Sequence, residues 1–326
     1  MDSAYRTERD TAIHAVRAAG RLCRSVRTEI TPEALAKRDK SPVTVADFGS
    51  QALICAALGR AFGDDPVIAE EDSSELRTPE NASMLARVAA HVQAIEPGAG
   101  AADVLQWIDH GGTREYVERF WTLDPIDGTK GFLRGGQYAV ALALIVGGRI
   151  EVAALACPNL PGPDGAIGAI FSAIRGQGAH VQPLDGAESG RGVPIHVSSQ
   201  KTPAFIRFCE SVESEHSAHG ESAAIAARLG IAAPPVRLDS QAKYAVVARG
   251  DAEAYLRLPT RADYREKIWD HAAGVLIVEE SGGVVTDIGG RPLEFTHGSE
   301  LIANRGVIVT NGRVHERILQ ALAACS

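Results

Sequence analysis

Trp121-Thr122-Leu123-Asp124-Pro125-Ile126-Asp127-Gly128-Thr129-Lys130-Gly131-Phe132 is the stretch from which the rest of the chain can be read. The apolar run Phe120 to Leu123 predicts a buried strand, and it ends in two carboxylates with a proline between them. Two aspartates three apart cost electrostatic energy unless something positive sits between them. Pro125 fixes φ and predicts that the strand stops there, so that the next residues curl instead of alternating faces. In such a curl Asp124, Asp127 and the Ile126 carbonyl point into one hollow, the hard oxygen set that Mg²⁺ takes. Gly128 and Thr129 then offer backbone N–H groups for a phosphate at a helix N-terminus.

Upstream, residues 3–27 have the period of an amphipathic helix, with Ile13, Val16, Cys23 and Val26 on one stripe. A polar stretch, 28–40, reads as a loop. A second helix follows Ser41-Pro42 and runs to about Phe62, with Asp47 near its start, where a carboxylate also suits the helix dipole. Pro66-Val67-Ile68-Ala69 is a short strand ending in Glu70-Glu71-Asp72. Three successive acids usually mark a solvated loop. Here they end a second apolar strand, and adjacent strand ends place such groups in one cleft. Residues 79–97 read as helix and Glu96-Pro97-Gly98-Ala99-Gly100 as a loop.

Downstream, 138–146 and 150–156 are apolar strands joined by a turn at Gly147-Gly148-Arg149, and 159–165 is a Pro/Gly loop. Short strands at 167–173, 177–182 and 192–198 complete a largely antiparallel sheet with helices packed on it. Beyond residue 200, helical patterns (217–230, 240–249, 269–280, 312–324) alternate with strands (235–238, 252–258, 283–286, 306–310), an α/β arrangement. Asp239 or Ser240 serves as N-cap of the helix that carries Lys243. No internal repeat or low-complexity segment interrupts the chain.

The 326 residues suffice for one large or two modest domains, and 45% hydrophobic with 23% charged residues is ordinary globular composition. No apolar run approaches the ~20 residues of a membrane helix, and the N-terminus lacks a signal-peptide core. A net charge of −8 disfavours nucleic acid polymers and acidic membranes as partners. Cys23, Cys55, Cys157, Cys209 and Cys325 are scattered and odd in number. That argues against a disulfide framework or zinc site and fits a reducing cytoplasm.

Singly, each candidate has a plain structural reading: the histidines as loop residues, Lys243 and Arg257 as solvated charges, Asp270 as a helix cap. Together, Glu70, Asp124, Asp127 and Asp270 all fall at strand ends or junctions. With the Ile126 carbonyl they form an oxygen-only set suited to two or three Mg²⁺ ions rather than zinc or iron. Clustered ions of that kind assist in-line phosphoryl displacement. No serine or cysteine motif marks a covalent phosphoenzyme, so the nucleophile expected is a metal-activated water.

Asp124–Thr129 (D-P-I-D-G-T) and Trp269-Asp270-His271-Ala272-Ala273-Gly274 resemble the two metal motifs of the lithium-sensitive, magnesium-dependent phosphatases related to inositol monophosphatase and fructose-1,6-bisphosphatase. Several further stretches resemble the 3′(2′),5′-bisphosphate nucleotidase branch: Ser41–Asp47, Lys130-Gly131-Phe132, Asp239–Tyr244, Tyr255–Pro259 and Glu266–Asp270. The resemblance implies a layered αβαβα sandwich, an α/β (α+β) fold. It implies metal ligation by Glu70, Asp124, Asp127, Asp270 and the Ile126 carbonyl. Asp47 and Thr129 would form a proton-transfer pair. Gly128 and Thr129 would hold the scissile phosphate, and His216, Ser240, Lys243 and Arg257, beside Asp270, would line a nucleotide pocket. The family's usual Gly-Glu-Glu is here Ala69-Glu70-Glu71; motif position selects Glu70 over Glu71 as the inner ligand.

The resulting expectation is a Mg²⁺-dependent phosphatase that removes the 3′-phosphate of adenosine 3′,5′-bisphosphate, with 3′-phosphoadenylyl sulfate as a second substrate. Residues 1–199 would form a subdomain carrying the metal motifs, and 200–326 one carrying the pocket. An inositol phosphate or sugar phosphatase on the same fold is the alternative enzyme, and a silent nucleotide sensor the non-enzymatic one. Monomer and homodimer are both open.

Overall fold

A computed structural model describes residues 4–29, 41–63, 65–186, 192–213, 219–261 and 263–325. Two long helices come first, α1 (Arg6–Thr28) and α2 (Ser41–Phe62). They dock closely: a Cβ on Gly49 would lie 2.9 Å from Leu22. The predicted α1 stripe of Ile13, Val16, Cys23 and Val26 is buried.

Next come β1 (Val67–Ala69), α3 (Ala82–Gln93), α4 (Ala101–His110), β2 (Arg119–Asp127) and α5 (Thr129–Arg134). The chain continues through β3 (Ala139–Val146), β4 (Arg149–Pro161), β5 (Ile167–Ile174), β6 (Ala179–Pro183) and β7 (Val193–Ile195). Strands β1 to β7 form one sheet in chain order, antiparallel except for the parallel β1–β2 pair. Gly147 and Gly148, at φ 59° and 74°, make the two-residue turn between β3 and β4.

Strand β3 shows why these runs read as almost continuously apolar. Val140, Leu142 and Leu144 face the α1–α2 layer, while Ala139, Ala141, Ala143 and Ile145 face the opposite core, so both faces are buried.

The remainder holds β8 (Phe208–Glu210), α6 (His219–Leu229), β9 (Val236–Arg237), α7 (Ala242–Ala248), β10 (Ala254–Arg257), α8 (Ala272–Glu280), β11 (Val284–Thr286), β12 (Val307–Thr310) and α9 (His315–Ala323). Its five strands form a second sheet, in the order β11-β12-β10-β8-β9. Helices α7 and α8 pack between the two sheets; α6 and α9 cover the outer face of the second, where Ile225 and Ile318 meet Leu256 and Ile308. The layers run αβαβα, as expected.

Three local expectations are corrected. Pro125 does not end its strand: β2 continues to Asp127, with an irregular register against β3 between Asp124 and Asp127. The parallel pairing with β1 stops at Leu123, so Pro125 lies where that side of the ladder asks for no N–H. Asp47 is the seventh residue of α2, beyond the first turn, because the helix begins at Ser41 with Pro42 in its first turn. Asp270 does not cap α8; it closes a 3₁₀ turn, Ile268–Asp270. Helix α4 and strand β8 were not foreseen. Val104 and Ile108 are the only residues α4 buries, and β8 is three residues long, too little periodicity to read.

Candidate active site

The first sheet delivers its acids at the ends of two neighbouring strands. Glu70 follows β1, and Asp124 and Asp127 end β2. Helix α2 fixes both ends from one face. Ser50 Oγ donates to the Pro125 carbonyl at 2.9 Å; Gln51 Nε2 donates to the Glu71 carbonyl at 2.7 Å, and its Oε1 accepts the Glu71 N–H at 3.1 Å. Asp47 lies one turn before this pair and is buried.

Glu70, Asp127 and Asp270 surround Asp124, whose Oδ1 is buried with no hydrogen-bond partner among the described residues. Burial, then the charges of Glu70, Asp127, Asp270 and Asp47, drive the Asp124 carboxyl well above the usual range. Desolvation, then Asp270, Glu71 and Asp127, push Glu70 up to about 8, although Glu70 keeps an exposed flank at the mouth of the hollow. Asp127 rises to about 6 through burial and Asp270, against the pull of Lys243, the Gln241 N–H and Arg257. Asp47 is pushed well up by burial and by Glu71 and Glu70. Like charges so arranged call for cations, and the orphaned Asp124 oxygen is a donor without a partner. The residues present therefore fit a divalent metal site. Both glutamates act on Asp47 and on each other; beyond that, Glu70 interacts with Asp124, Asp127 and Asp270, and Glu71 with Asp72 and Glu75.

A cavity of about 230 Å³ opens beside these acids, lined among others by Asp127, Thr129, Lys130, Lys243, Arg257 and Asp270. Gly128, also on its wall, precedes α5 at φ 89°, and Thr129 opens that helix next to α2. Ser240 reaches the cavity in the left-handed conformation, φ 65°, its Oγ accepting the Ala242 N–H at 3.1 Å. The N-cap of α7 is Gln241, not Asp239 or Ser240 as expected; Ser240 stands one residue before it, and Asp239 accepts from Arg134 at 2.7 Å. Lys243 is buried with Nζ 5.0 Å from the Tyr255 ring centroid; burial first, then Arg257, lowers it to about 8. The side chains of Lys243 and Arg257 are therefore not the solvated charges of the plain reading.

Thus one hollow and its adjoining cavity gather Glu70, Asp124, Asp127, Asp270, Gly128, Thr129, Ser240, Lys243 and Arg257, with Ile126 between the two β2 acids and Asp47 behind them. His216 lies outside the described residues. Sequence reasoning missed Ser50 and Gln51, whose spacing after Asp47 (i+3, i+4) was an available signal. It also missed Glu213, which lines the cavity and pairs with Lys130 at 3.5 Å and with Arg134, and the buried Glu266 and His271. Glu266, Asp270 and His271 bring ligand atoms within 4.8 Å of one another. Glu266 and His271 are already hydrogen-bonded, so among these three Asp270 is the one left to face the hollow.

The chain is similar to known proteins along nearly its whole length. The model of the inositol monophosphatase family matches residues 5–326. A 3′(2′),5′-bisphosphate nucleotidase of Emericella nidulans is 43% identical over 346 residues, covering 98% of each chain. One from Schizosaccharomyces pombe is 44% identical over 344 residues, covering 98% of this chain and 96% of that protein. Among solved structures, an inositol monophosphatase from Anabaena superposes with a TM-score of 0.66 at 21% identity, covering 99% of this chain and 97% of the other. CysQ from Bacteroides thetaiotaomicron gives the same score at 20% identity, covering 95% and 98%. Matched by the family model over nearly its whole length and similar to these relatives throughout, the chain belongs to the inositol monophosphatase family.

Proposed function

We propose that the protein is a Mg²⁺-dependent phosphatase that hydrolyses the 3′-phosphate of adenosine 3′,5′-bisphosphate to AMP and phosphate, and that it also accepts 3′-phosphoadenylyl sulfate. The observation that carries this reading is the buried, unpartnered Asp124 oxygen among Glu70, Asp127 and Asp270, beside a cavity with Lys243 and Arg257 in its wall. The two nucleotidase relatives support the choice of substrate.

Glu70, Asp124, Asp127, Asp270 and the Ile126 carbonyl would hold two or three Mg²⁺ ions. Bound there, the ions offset the carboxylates and the charge that builds on the phosphoryl oxygens. Asp47, kept in a desolvated setting, draws the Thr129 hydroxyl proton so that Thr129 orients and deprotonates the attacking water. Gly128 and Thr129 hold the scissile phosphate through backbone N–H groups. Ser240, Lys243 and Arg257, with His216, take the rest of the nucleotide; two cations suit a second phosphate, which a monophosphate would not require. Residues 1–199 and 200–326 act as the metal-bearing and pocket-bearing subdomains. A cytoplasmic location accords with the buried free thiols of Cys23, Cys55, Cys157 and Cys209. Among the described residues no helix is long and apolar enough to cross a membrane.

The test is phosphate release from adenosine 3′,5′-bisphosphate and from inositol monophosphates, each with and without Mg²⁺. Mg²⁺-dependent preference for the nucleotide is expected. Equal or better turnover of the inositol substrates would replace this reading by that of an inositol phosphatase, and binding without turnover by that of a sensor.

A further inference from the structure

Arg257 stands between two spaces. It lines the site cavity and also a second cavity of about 280 Å³, formed with Leu258, Thr260, Arg261, Tyr264 and Glu266. A side chain so placed has room to leave the site unless something holds it. Its Nε donates to both oxygens of buried Glu266, at 3.0 and 3.2 Å, and Nη2 reaches Tyr264 Oη at 3.4 Å. Nη2 also lies 3.8 Å from Asp270. Glu266 is itself held, because Oε2 meets His271 Nε2 at 3.1 Å and His271 Nδ1 meets Tyr244 Oη at 2.7 Å. Tyr244 follows Lys243 on α7, and His271 follows Asp270, so this buried string joins both walls of the site.

Geometry gives the string a direction. A guanidinium pinned along its Nε edge is fixed in plane and orientation, and it presents its Nη edge to an incoming anion. Without Glu266, the nearest carboxylate left to Arg257 is Asp270, and the second cavity offers an alternative resting place.

We propose that Glu266, braced by His271 and Tyr244, is a positioning residue that holds Arg257 toward the substrate's anionic groups and keeps its pairing with Asp270 at the long distance of 3.8 Å. The proposal rests on the reading of Arg257 as a substrate-binding residue. Glu266 touches neither substrate nor reacting atoms; it acts through Arg257.

The experiment is a double-mutant cycle on the full chain with Mg²⁺ present: wild type, Glu266→Gln, Arg257→Ala and the double variant. The wild type's preferred phosphomonoester is established first. Glu266→Gln keeps an acceptor for His271 and Arg257 while removing the charge, and thermal melting checks that each variant is folded. The expected result is a KM about tenfold higher in Glu266→Gln with kcat within about twofold, and no further loss when Glu266→Gln is added to Arg257→Ala. Additive losses in the double variant, or a fall in kcat at unchanged KM, would overturn the proposal. If Glu266→Gln does not fold, His271→Gln, which leaves Glu266 in place without its brace, is expected to raise KM in the same direction; an unchanged KM there overturns it equally. A wild-type preference for inositol phosphates would instead count against the nucleotide assignment. The cycle on the preferred substrate then still decides the role of Glu266.

Discussion

The backbone N–H of Gln241 donates to Asp127 Oδ2 at 2.5 Å, so the last acid of β2 is tied to the N-cap residue of α7. A carboxylate of the first sheet thereby positions the helix that carries Lys243. Removing the charge at Asp127 bears on the metal set first and on this tie second. Asp127→Asn is expected to lower turnover about 10³-fold, the order of loss when a group stabilising transition-state charge is removed. Its metal-free melting temperature should hold or rise, since one like charge has gone. Turnover near the wild-type level in a phosphate-release assay would locate the cation site elsewhere.

Stripping the metal should make stability depend on pH in a particular sense. Glu70, raised to about 8, and Asp127, raised to about 6, bind protons in the folded state that the unfolded chain releases near its ordinary carboxylate values. Native excess of bound protons means that stability falls as pH rises. The chelated protein is therefore expected to melt at progressively lower temperature from about pH 5 to pH 8, while added Mg²⁺ flattens the slope. A melting temperature that climbs over that window in chelator would contradict the arrangement of acids.

Lys243, lowered to about 8 by burial and Arg257, should lose its charge within the range of an ordinary assay. KM for an anionic substrate is expected to rise above pH 8 in the wild type. Lys243→Met keeps most of the stem and drops the ammonium. Its KM should be roughly tenfold or more higher at pH 7, the worth of a hydrogen bond to a charged group, and should not follow the wild-type rise. Parallel KM–pH curves for the two proteins would show that Lys243 is not the group responsible.

Gly131 has no room for a side chain. A Cβ there would stand 2.1 Å from the Gln137 carbonyl oxygen and 2.8 Å from Asp239 Oδ2. Since one obstacle is backbone, Gly131→Ala is expected to cost roughly 3 kcal/mol through overpacking. The urea midpoint would shift at constant slope. A midpoint matching the wild type would mean that α5 moves aside freely.

The strands of the first sheet were legible because they are buried on both faces: Ala139–Val146 and Ile150–Ala156 admit almost no polar residue, and Gly147-Gly148 marks the turn between them, while the five-layer arrangement came from the family resemblance. The acids at the ends of β1 and β2 were legible for the same reason, as charged residues ending apolar runs. What escaped depends on partners distant in sequence. Ser50 and Gln51 look like ordinary helix polars until Pro125 and Glu71 stand opposite them. Glu266 looks like a loop acid until Arg257 and His271 enclose it; burial opposes its charge, yet His271 and Arg257 lower it to about 2. Pro125 misled because the rule that proline ends a strand assumes that a neighbour needs its N–H, and β1 has already stopped there.

The placement of the two walls bears on how such a protein can be reshaped. Asp124 and Asp127 stand at the end of β2, which pairs with β3 along its length and with β1 as far as Leu123, so a shift of that strand is passed to both of its neighbours in the seven-stranded sheet. Ser240, Lys243 and Arg257 belong to α7, the loop before it and the end of β10, against the other sheet. A directed-evolution library confined to those three positions should retune ligand preference while most members still fold. A library of equal size on Trp121–Asp127 should lose most of its members to misfolding before any selection for activity begins.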